Sequence, residues 1–351
     1  MRRLCVVRPN IRPWEEQVYR HSEGFKVRFV GSRACKKPIS NVEIIPARLS
    51  CYFPYPTQAL ENALKGADII NSLEVYSYLS SQCARLAPNS KLTITVWETI
   101  FPHSIYNFTL PYFLNLLRVK RRGDLFLPMT DKSAQYLYKQ GIPKEKVQIV
   151  YPGTDLDRFK PAKRDHDKLR ILFIGRLVKQ KGVCNLLRAF EALSKKFSDL
   201  ELYVLGRGPL ENYVKEYSKK FPVKFFGFIE HDNLPHFYQE CDIFCFPSFD
   251  YFVGGLKIWE EQFGYVAIEA MASGLPVVGS TCGAIPEVLG EKNLIVPQNS
   301  VKELYIALRR LVQDEEFRSE LRRSNRERCE KMFDAKKQGE TLGKVFNSIL
   351  T

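Results

Sequence analysis

The sequence predicts an α/β protein made of two doubly wound parallel sheets. Three observations lead there. A chain of 351 residues suffices for two α/β domains of ordinary size, whereas a single core would be strained at that length. Short runs rich in Val, Ile, Leu and Phe alternate with helical patterns, the order that gives parallel strands joined by crossover helices. One stretch, Glu261 to Val278, sets a loop, a short helix and a strand in succession around two carboxylates eight residues apart.

Taken in order, Leu4 to Val7 reads as the first strand. Arg8 to Glu16, stiffened by Pro9 and Pro13, reads as a loop entering a helix, with Arg8 and Arg12 either facing a ligand or simply solvated. Lys26 to Gly31 is a second strand, Thr57 to Lys65 a helix and Ala67 to Asn71 a further strand. Leu92 to Thr99 is a buried strand whose carboxyl end brings Trp97 and Glu98 to the edge where open α/β sheets hold ligands. His103 follows six residues after Trp97, and Asn107-Phe108-Thr109 is a formal glycosylation triplet, meaningful only in a secreted chain.

Leu110 to Arg122 is apolar and aromatic and ends in Arg118, Lys120, Arg121 and Arg122. Such a helix can lie on an anionic membrane, but a core helix also favours cations at its carboxyl end. Asp124 to Ser133 is a strand running into a capped helix that stops at Gly141, and Val147 to Asp155 leads towards a polar hinge at Lys163 to Lys168.

Leu169 to Ile174 opens the second domain and runs into Gly175-Arg176, with Lys181 five residues on and Gly182 starting a helix. An arginine fork and a lysine point charge at one sheet edge suit a diphosphate. Leu202-Tyr203-Val204-Leu205-Gly206-Arg207-Gly208 and Val223 to Ile229 are the next two strands with their turns, and Asp242 to Ser248 is another. Phe249 to Trp259 reads as an aromatic loop containing Gly254-Gly255. In the motif itself, Gly264 stands where a loop becomes a helix, so the amides of Gly264, Tyr265, Val266 and Ala267 suit a phosphate; Gly274 stops the helix before Val277-Val278. Glu303 to Leu350 shows apolar i, i+3, i+4 spacing, as in Leu304, Ala307, Leu308 and Leu311.

The net charge of +14 is uneven: residues 1–155 hold 22 Lys+Arg against 12 Asp+Glu, which is +10, and the rest hold 31 against 27, which is +4. The basic half suits a phosphorylated small molecule, an anionic lipid or nucleic acid. No zinc or RNA-binding signature accompanies it, so a nucleic-acid binder ranks below an enzyme. No run of 18 apolar residues occurs, and Met1 to Val7 resembles a strand more than a signal peptide, which makes a cytoplasmic protein the expectation. Nine cysteines, scattered in apolar runs, read as reduced core thiols, and Cys241 and Cys245 lack the second pair a zinc site needs.

Glu261-x7-Glu269, with Phe263-Gly264 inside it and Ala270 to Val278 after it, resembles the signature of the retaining nucleotide-sugar glycosyltransferases of the family-4 type. The resemblance runs from about Asp124 to Val296, with Arg176 and Lys181 its other specific part. It implies a GT-B architecture: two Rossmann-like domains facing a cleft, with residues 1–162 binding the acceptor, 163–331 the nucleotide sugar, and 332–351 forming a helix that returns to the first domain. It implies Glu261 beside the donor sugar and Glu269 on the ribose. Arg176 and Lys181 would bind the diphosphate, and Gly264, Tyr265, Val266 and Gly175 would approach the phosphates. Gly206, Gly208, Phe228 and Ile229 would line the nucleobase slot, and the turn Gly283 to Glu287 would flank the donor. Relatives present a histidine near the position of Trp97, so Glu98, His103 or neither meets the sugar from that side. The activity implied is metal-independent transfer of a hexosyl unit from a UDP- or GDP-type sugar to a sugar or lipid-linked acceptor. No cofactor other than the donor substrate is implied, and the enzyme would lie in the cytoplasm or peripherally on the inner face of the cell membrane. An epimerase or a phosphorylase of the same architecture is the alternative.

Overall fold

Two six-stranded sheets, parallel throughout, organise the chain. The computed structural model describes all residues except 34–41, 47–48, 50, 52–56, 101–108 and 164–165. His103 and Asn107 therefore lie outside the described residues. The chain divides into one unit of Met1–Gly153 with Asp334–Thr351 and a second of Thr154–Phe333.

In the first unit, β1 (Arg2–Ile11), β2 (Phe25–Arg33), β3 (Val42–Pro46), β4 (Ile69–Leu73), β5 (Lys91–Val96) and β6 (Leu125–Pro128) lie in the order β3-β2-β1-β4-β5-β6. This is a doubly wound order, and it reverses between β1 and β4. Alternation along β1 sends Cys5 and Val7 to a core with Ile70, Ile94, Leu79 and Val119, and Leu4 and Val6 to a second core with Phe29, Ile69 and Leu127. The helix Ala335–Ser348 completes that second core through Leu342, Val345 and Phe346.

Three sequence expectations need correction here. Arg8 is not in a loop. It belongs to β1 and is buried, with Nε 2.8 Å from Glu15, and it donates to Tyr19 Oη (2.9 Å), Asn71 Oδ1 (2.7 Å) and Thr95 Oγ1 (3.2 Å). A buried guanidinium with this many acceptors lets the strand continue where Pro9 suggested a break, because Pro9 falls within a register shift of the β1–β2 pairing between Val7 and Asn10. The strand β3 was not anticipated from the sequence.

In the second unit, β7 (Leu169–Ile174), β8 (Leu200–Leu205), β9 (Val223–Gly227), β10 (Ile243–Phe246), β11 (Tyr251–Val253), β12 (Leu256–Trp259), β13 (Val277–Ser280) and β14 (Leu294–Val296) follow in sequence. The sheet order β14-β13-β10-β7-β8-β9 repeats the doubly wound pattern, reversing between β7 and β10. The third correction is the segment Phe249 to Trp259. It is an antiparallel hairpin of β11 and β12 turning at Gly254-Gly255, both glycines having positive φ. Its Phe252, Val253 and Leu256 are exposed, and Lys257 pins its base to Asp250 (2.7 Å) and Glu260 (2.9 Å).

Candidate active site

Open parallel sheets leave a crevice outside the carboxyl ends of the strands where the order reverses. In the second unit that crevice lies beyond β7 and β10, and both strands deliver charge to it. After β7 the chain makes a short turn, Lys179–Lys181, before the helix Val183–Ser194. Phe249 N donates to Gln180 O (2.9 Å), which ties this turn to the loop after β10. Lys181 Nζ stands 2.6 Å from Glu261 Oε2 and 5.0 Å from the centre of the Trp259 ring. Ser248 Oγ donates to the same carboxylate oxygen at 3.0 Å.

Glu261 is held by its backbone as firmly as by its side chain. Its N–H donates to Cys282 Sγ (3.4 Å) and its carbonyl accepts from Ala284 N (2.8 Å), so the turn after β13 fixes the motif in place. Gly264 then starts the helix Tyr265–Ala272 with φ +95°, and a Cβ there would stand 2.5 Å from the Phe246 ring. A side chain is excluded by both conformation and space. Ala267 N is spent on Gly264 O (2.9 Å), so it is not among the amides a phosphate would use. Tyr265 and Val266 lie half-buried in that first turn.

Glu269 is almost wholly buried. Its Oε1 lies 2.7 Å from His231 Nε2, and its Oε2 accepts from Tyr238 Oη at 2.9 Å. Burial raises the Tyr238 phenol well above its ordinary pKa, with the Glu269 charge adding to the effect, so the hydroxyl stays a donor. Each oxygen of Glu269 keeps a second lone pair for a further donor.

The glycine turns form a backbone cluster. Gly175 N donates to Leu205 O (3.1 Å), Leu177 N to Arg207 O (2.9 Å), and Gly206 N to Gly227 O (2.7 Å). A Cβ on Gly206, at φ +138°, would stand 1.8 Å from Gly175 O. Arg176 is exposed on this edge. Arg207 stacks its guanidinium 4.2 Å over the half-exposed Phe228 ring, and Ile229 follows two residues before His231.

The structure therefore brings Lys181 and Glu261 into contact and gathers Gly175, Gly206 and Gly208 around one edge. It places Glu269 with His231 and Tyr238. Glu98 lies in the first unit, where its Oε1 accepts from Thr99 N and Ile100 N (3.0 Å each) and its Oε2 from Tyr76 Oη (3.3 Å). Sequence reasoning missed Ser248, Trp259, His231 and Tyr238. Ser248 had a signal, since it ends the segment of a carboxyl-terminal strand edge; the other three are side chains aimed by tertiary packing. Among the described residues no three His, Cys, Asp or Glu side chains gather as a metal site, and no helix is long and apolar enough to cross a membrane.

The sequence profile of "Glycosyl transferases group 1" matches residues 155–328. Through that stretch the chain is similar to this family. The chain is 30% identical over 213 residues to the putative colanic acid biosynthesis glycosyltransferase WcaL of Escherichia coli, covering 58% of this chain and 51% of that one. It is also 30% identical over 211 residues to the capsular polysaccharide biosynthesis glycosyltransferase CapM of Staphylococcus aureus, covering 58% and 53%. The matched stretches thus span about half the length of these relatives. Among solved structures, HepE of Anabaena, crystallised in complex with UDP, superimposes with a TM-score of 0.77 over 99% of this chain and 100% of its own, at 16% identity. That likeness gives the chain the GT-B fold.

Proposed function

We propose that the protein is a retaining glycosyltransferase that moves a hexosyl unit from a UDP- or GDP-type sugar to a glycan acceptor. The observation that carries this reading is the Lys181–Glu261 pair at the reversal point of the second sheet. Breaking the bond between a sugar and a diphosphate puts negative charge on the leaving phosphates, and a cation already fixed there lowers the barrier. An ammonium has three donors, so Lys181 can hold Glu261 and a phosphate oxygen together and keep the carboxylate beside the sugar that departs. Arg176 supplies a second, always-charged fork on the same edge, and the amides of Gly264, Tyr265 and Val266 supply the positive end of a helix. With charge neutralised in this way, transfer requires no divalent metal. A ribose hydroxyl pair would use the remaining lone pairs of Glu269, and the base would lie along Gly206, Gly208, Phe228 and Ile229.

The first unit is proposed to bind the acceptor, with the helix Leu110–Arg122 as its contact with an anionic membrane. Tyr112, Asn115, Leu116 and Val119 of that helix are buried, while Leu110, Phe113, Leu114 and Leu117 form an exposed apolar row. Three of the four cations have local duties: Arg118 donates to Ser81 Oγ (2.6 Å), Lys120 to Gln140 O (2.5 Å) and Arg122 to Asp124 (3.0 Å). The membrane reading therefore rests on the apolar row and on Arg121.

Incubation with UDP-glucose, GDP-mannose and ADP-glucose, with and without acceptor glycans, tests the proposal. Release of nucleoside diphosphate that depends on acceptor and survives EDTA is the expected result. Release that needs inorganic phosphate would indicate a phosphorylase, and conversion of the donor without acceptor an epimerase.

A further inference from the structure

One buried carboxylate in the first unit has no place in the donor chemistry. Glu74 directly follows β4, at the carboxyl edge beside the reversal point of the first sheet. Its φ is +62°, a left-handed conformation that a residue with a Cβ adopts only when its surroundings impose it. Glu74 N donates to Thr95 O (2.9 Å) and Trp97 N donates to Glu74 Oε1 (2.9 Å), which locks both backbone and side chain between β4 and β5. The side chain is buried, and among the described residues Oε2 has no hydrogen-bond partner. A polar atom left so in a strained residue at a ligand edge is a site waiting for a partner.

The neighbour of Glu74 is Glu98, whose two oxygens already accept three hydrogen bonds. The two carboxyls are thus unequal. Burial and then the Glu98 charge push the Glu74 pKa up to about 8, against the N–H groups of Trp97 and Glu98 and the Arg8 guanidinium, which pull it down. The other titratable groups coupled to Glu74 are Cys51 and Tyr136, both kept neutral because burial raises their own pKa values. At neutral pH, Glu74 is therefore a carboxylic acid that can both donate and accept, the complement of a sugar hydroxyl.

We propose that Glu74 is an acceptor-binding residue whose Oε2 hydrogen-bonds a hydroxyl of the sugar that receives the transferred unit. The inference rests on the reading of the first unit as acceptor-binding. A protonated carboxyl fixes the orientation of that hydroxyl, while the Trp97 N–H keeps Oε1 in place.

Saturation-transfer NMR with octyl glucoside, octyl galactoside and octyl mannoside at pH 6.5 and pH 9 tests it without requiring turnover. Wild-type protein should bind at least one glycoside and lose affinity severalfold at pH 9, up to a limit of about tenfold. Glu74→Gln, which keeps a donor and an acceptor, should bind it equally at both pH values, and Glu74→Ala should bind at least tenfold more weakly at both. A Glu74→Ala variant that binds as wild type does, a Glu74→Gln variant with the wild-type pH dependence, or a wild-type protein that binds none of the three overturns the inference. Far-ultraviolet circular dichroism and cooperative thermal melting at pH 6.5 should match in all three proteins, which shows that the variants are folded. Glu74-dependent glycoside binding by a protein that transfers no sugar would sink the transferase reading and leave Glu74 as a sugar-binding residue without an acceptor role.

Discussion

Lys181 and Glu261 come from opposite sides of the reversal point in the second sheet and meet at 2.6 Å, with Ser248 completing the contact. Each is separately anchored: Lys181 by a turn tied to the loop after β10, Glu261 by Cys282 and Ala284. Glu261→Gln keeps the shape but removes the charge that the proposed mechanism sets beside the sugar. Turnover should fall at least 100-fold while the Kd for the nucleotide sugar changes less than about threefold, the signature of an interaction made mainly in the transition state. Steady-state kinetics beside calorimetry separates the two effects.

Removing only one partner of this pair should also weaken the fold. Lys181→Met leaves Glu261 largely buried without its cation, and a loss of about 1–3 kcal/mol is expected after allowing for its remaining contact with solvent and with Ser248. The double variant Lys181→Met/Glu261→Gln should recover at least half of that loss. Chemical denaturation of the four proteins closes the cycle, and additive losses would deny the coupling.

Arg8 gives a test in the first unit. Arg8→Met removes the guanidinium from Glu15, Asn71, Tyr19 and Thr95 and should destabilise that unit by about 3–5 kcal/mol, because Glu15 is then buried without its cation. Arg8→Lys should restore little, since one ammonium cannot match a fork of donors. A loss under about 1 kcal/mol in denaturant titration would contradict this account of the sheet.

The pH dependence of stability carries a defined sign. A carboxyl whose pKa rises from 4.5 to about 8 on folding holds a proton in the folded state that the unfolded state has released across that interval. The Glu74 contribution is therefore neutral below about pH 4.5 and grows unfavourable as pH rises towards 8, by about 1.4 kcal/mol per unit at most. Glu74→Gln should flatten that part of the profile and be the more stable protein at pH 8. Thermal melts from pH 5 to pH 9 measure it, and parallel profiles would deny the raised pKa.

The apolar row of Leu110, Phe113, Leu114 and Leu117 is exposed beside Arg121. Leu117→Glu and Arg121→Glu should each reduce co-sedimentation with phosphatidylglycerol vesicles severalfold, while Lys120→Ala, whose ammonium is already spent on Gln140, should act through stability instead. Equal recovery of wild type and both charge reversals with vesicles would remove the membrane contact.

Much of this is legible in the sequence. The parallel, doubly wound sheets followed from strand–helix alternation, because that order leaves few other ways to bury strands on both faces. Gly264 was legible as a helix start, since a glycine between a loop and a helical pattern signals a left-handed entry. Arg8 was misread because Pro9 argues for a loop, and only β4, β5 and the helix Pro13–Tyr19 together show the acceptors that make a buried arginine tolerable. The hairpin after β10 carried its signal in Gly254-Gly255 between two apolar runs, a two-residue turn typical of antiparallel strands. His231 and Tyr238 beside Glu269 gave no signal, for they approach it from segments 38 and 31 residues away. Glu74 was equally silent, since nothing local marks a positive φ at a glutamate.

The central claim is that a nucleoside diphosphate binds the second unit through Lys181 and Arg176. Calorimetric titration of UDP, GDP and ADP into wild type, Arg176→Ala/Lys181→Ala and Glu261→Ala tests it most directly. Wild type and Glu261→Ala should bind one of the three nucleotides with affinities within about threefold, and the double variant should bind it at least 100-fold more weakly. A folded double variant that binds as tightly as wild type would contradict the claim.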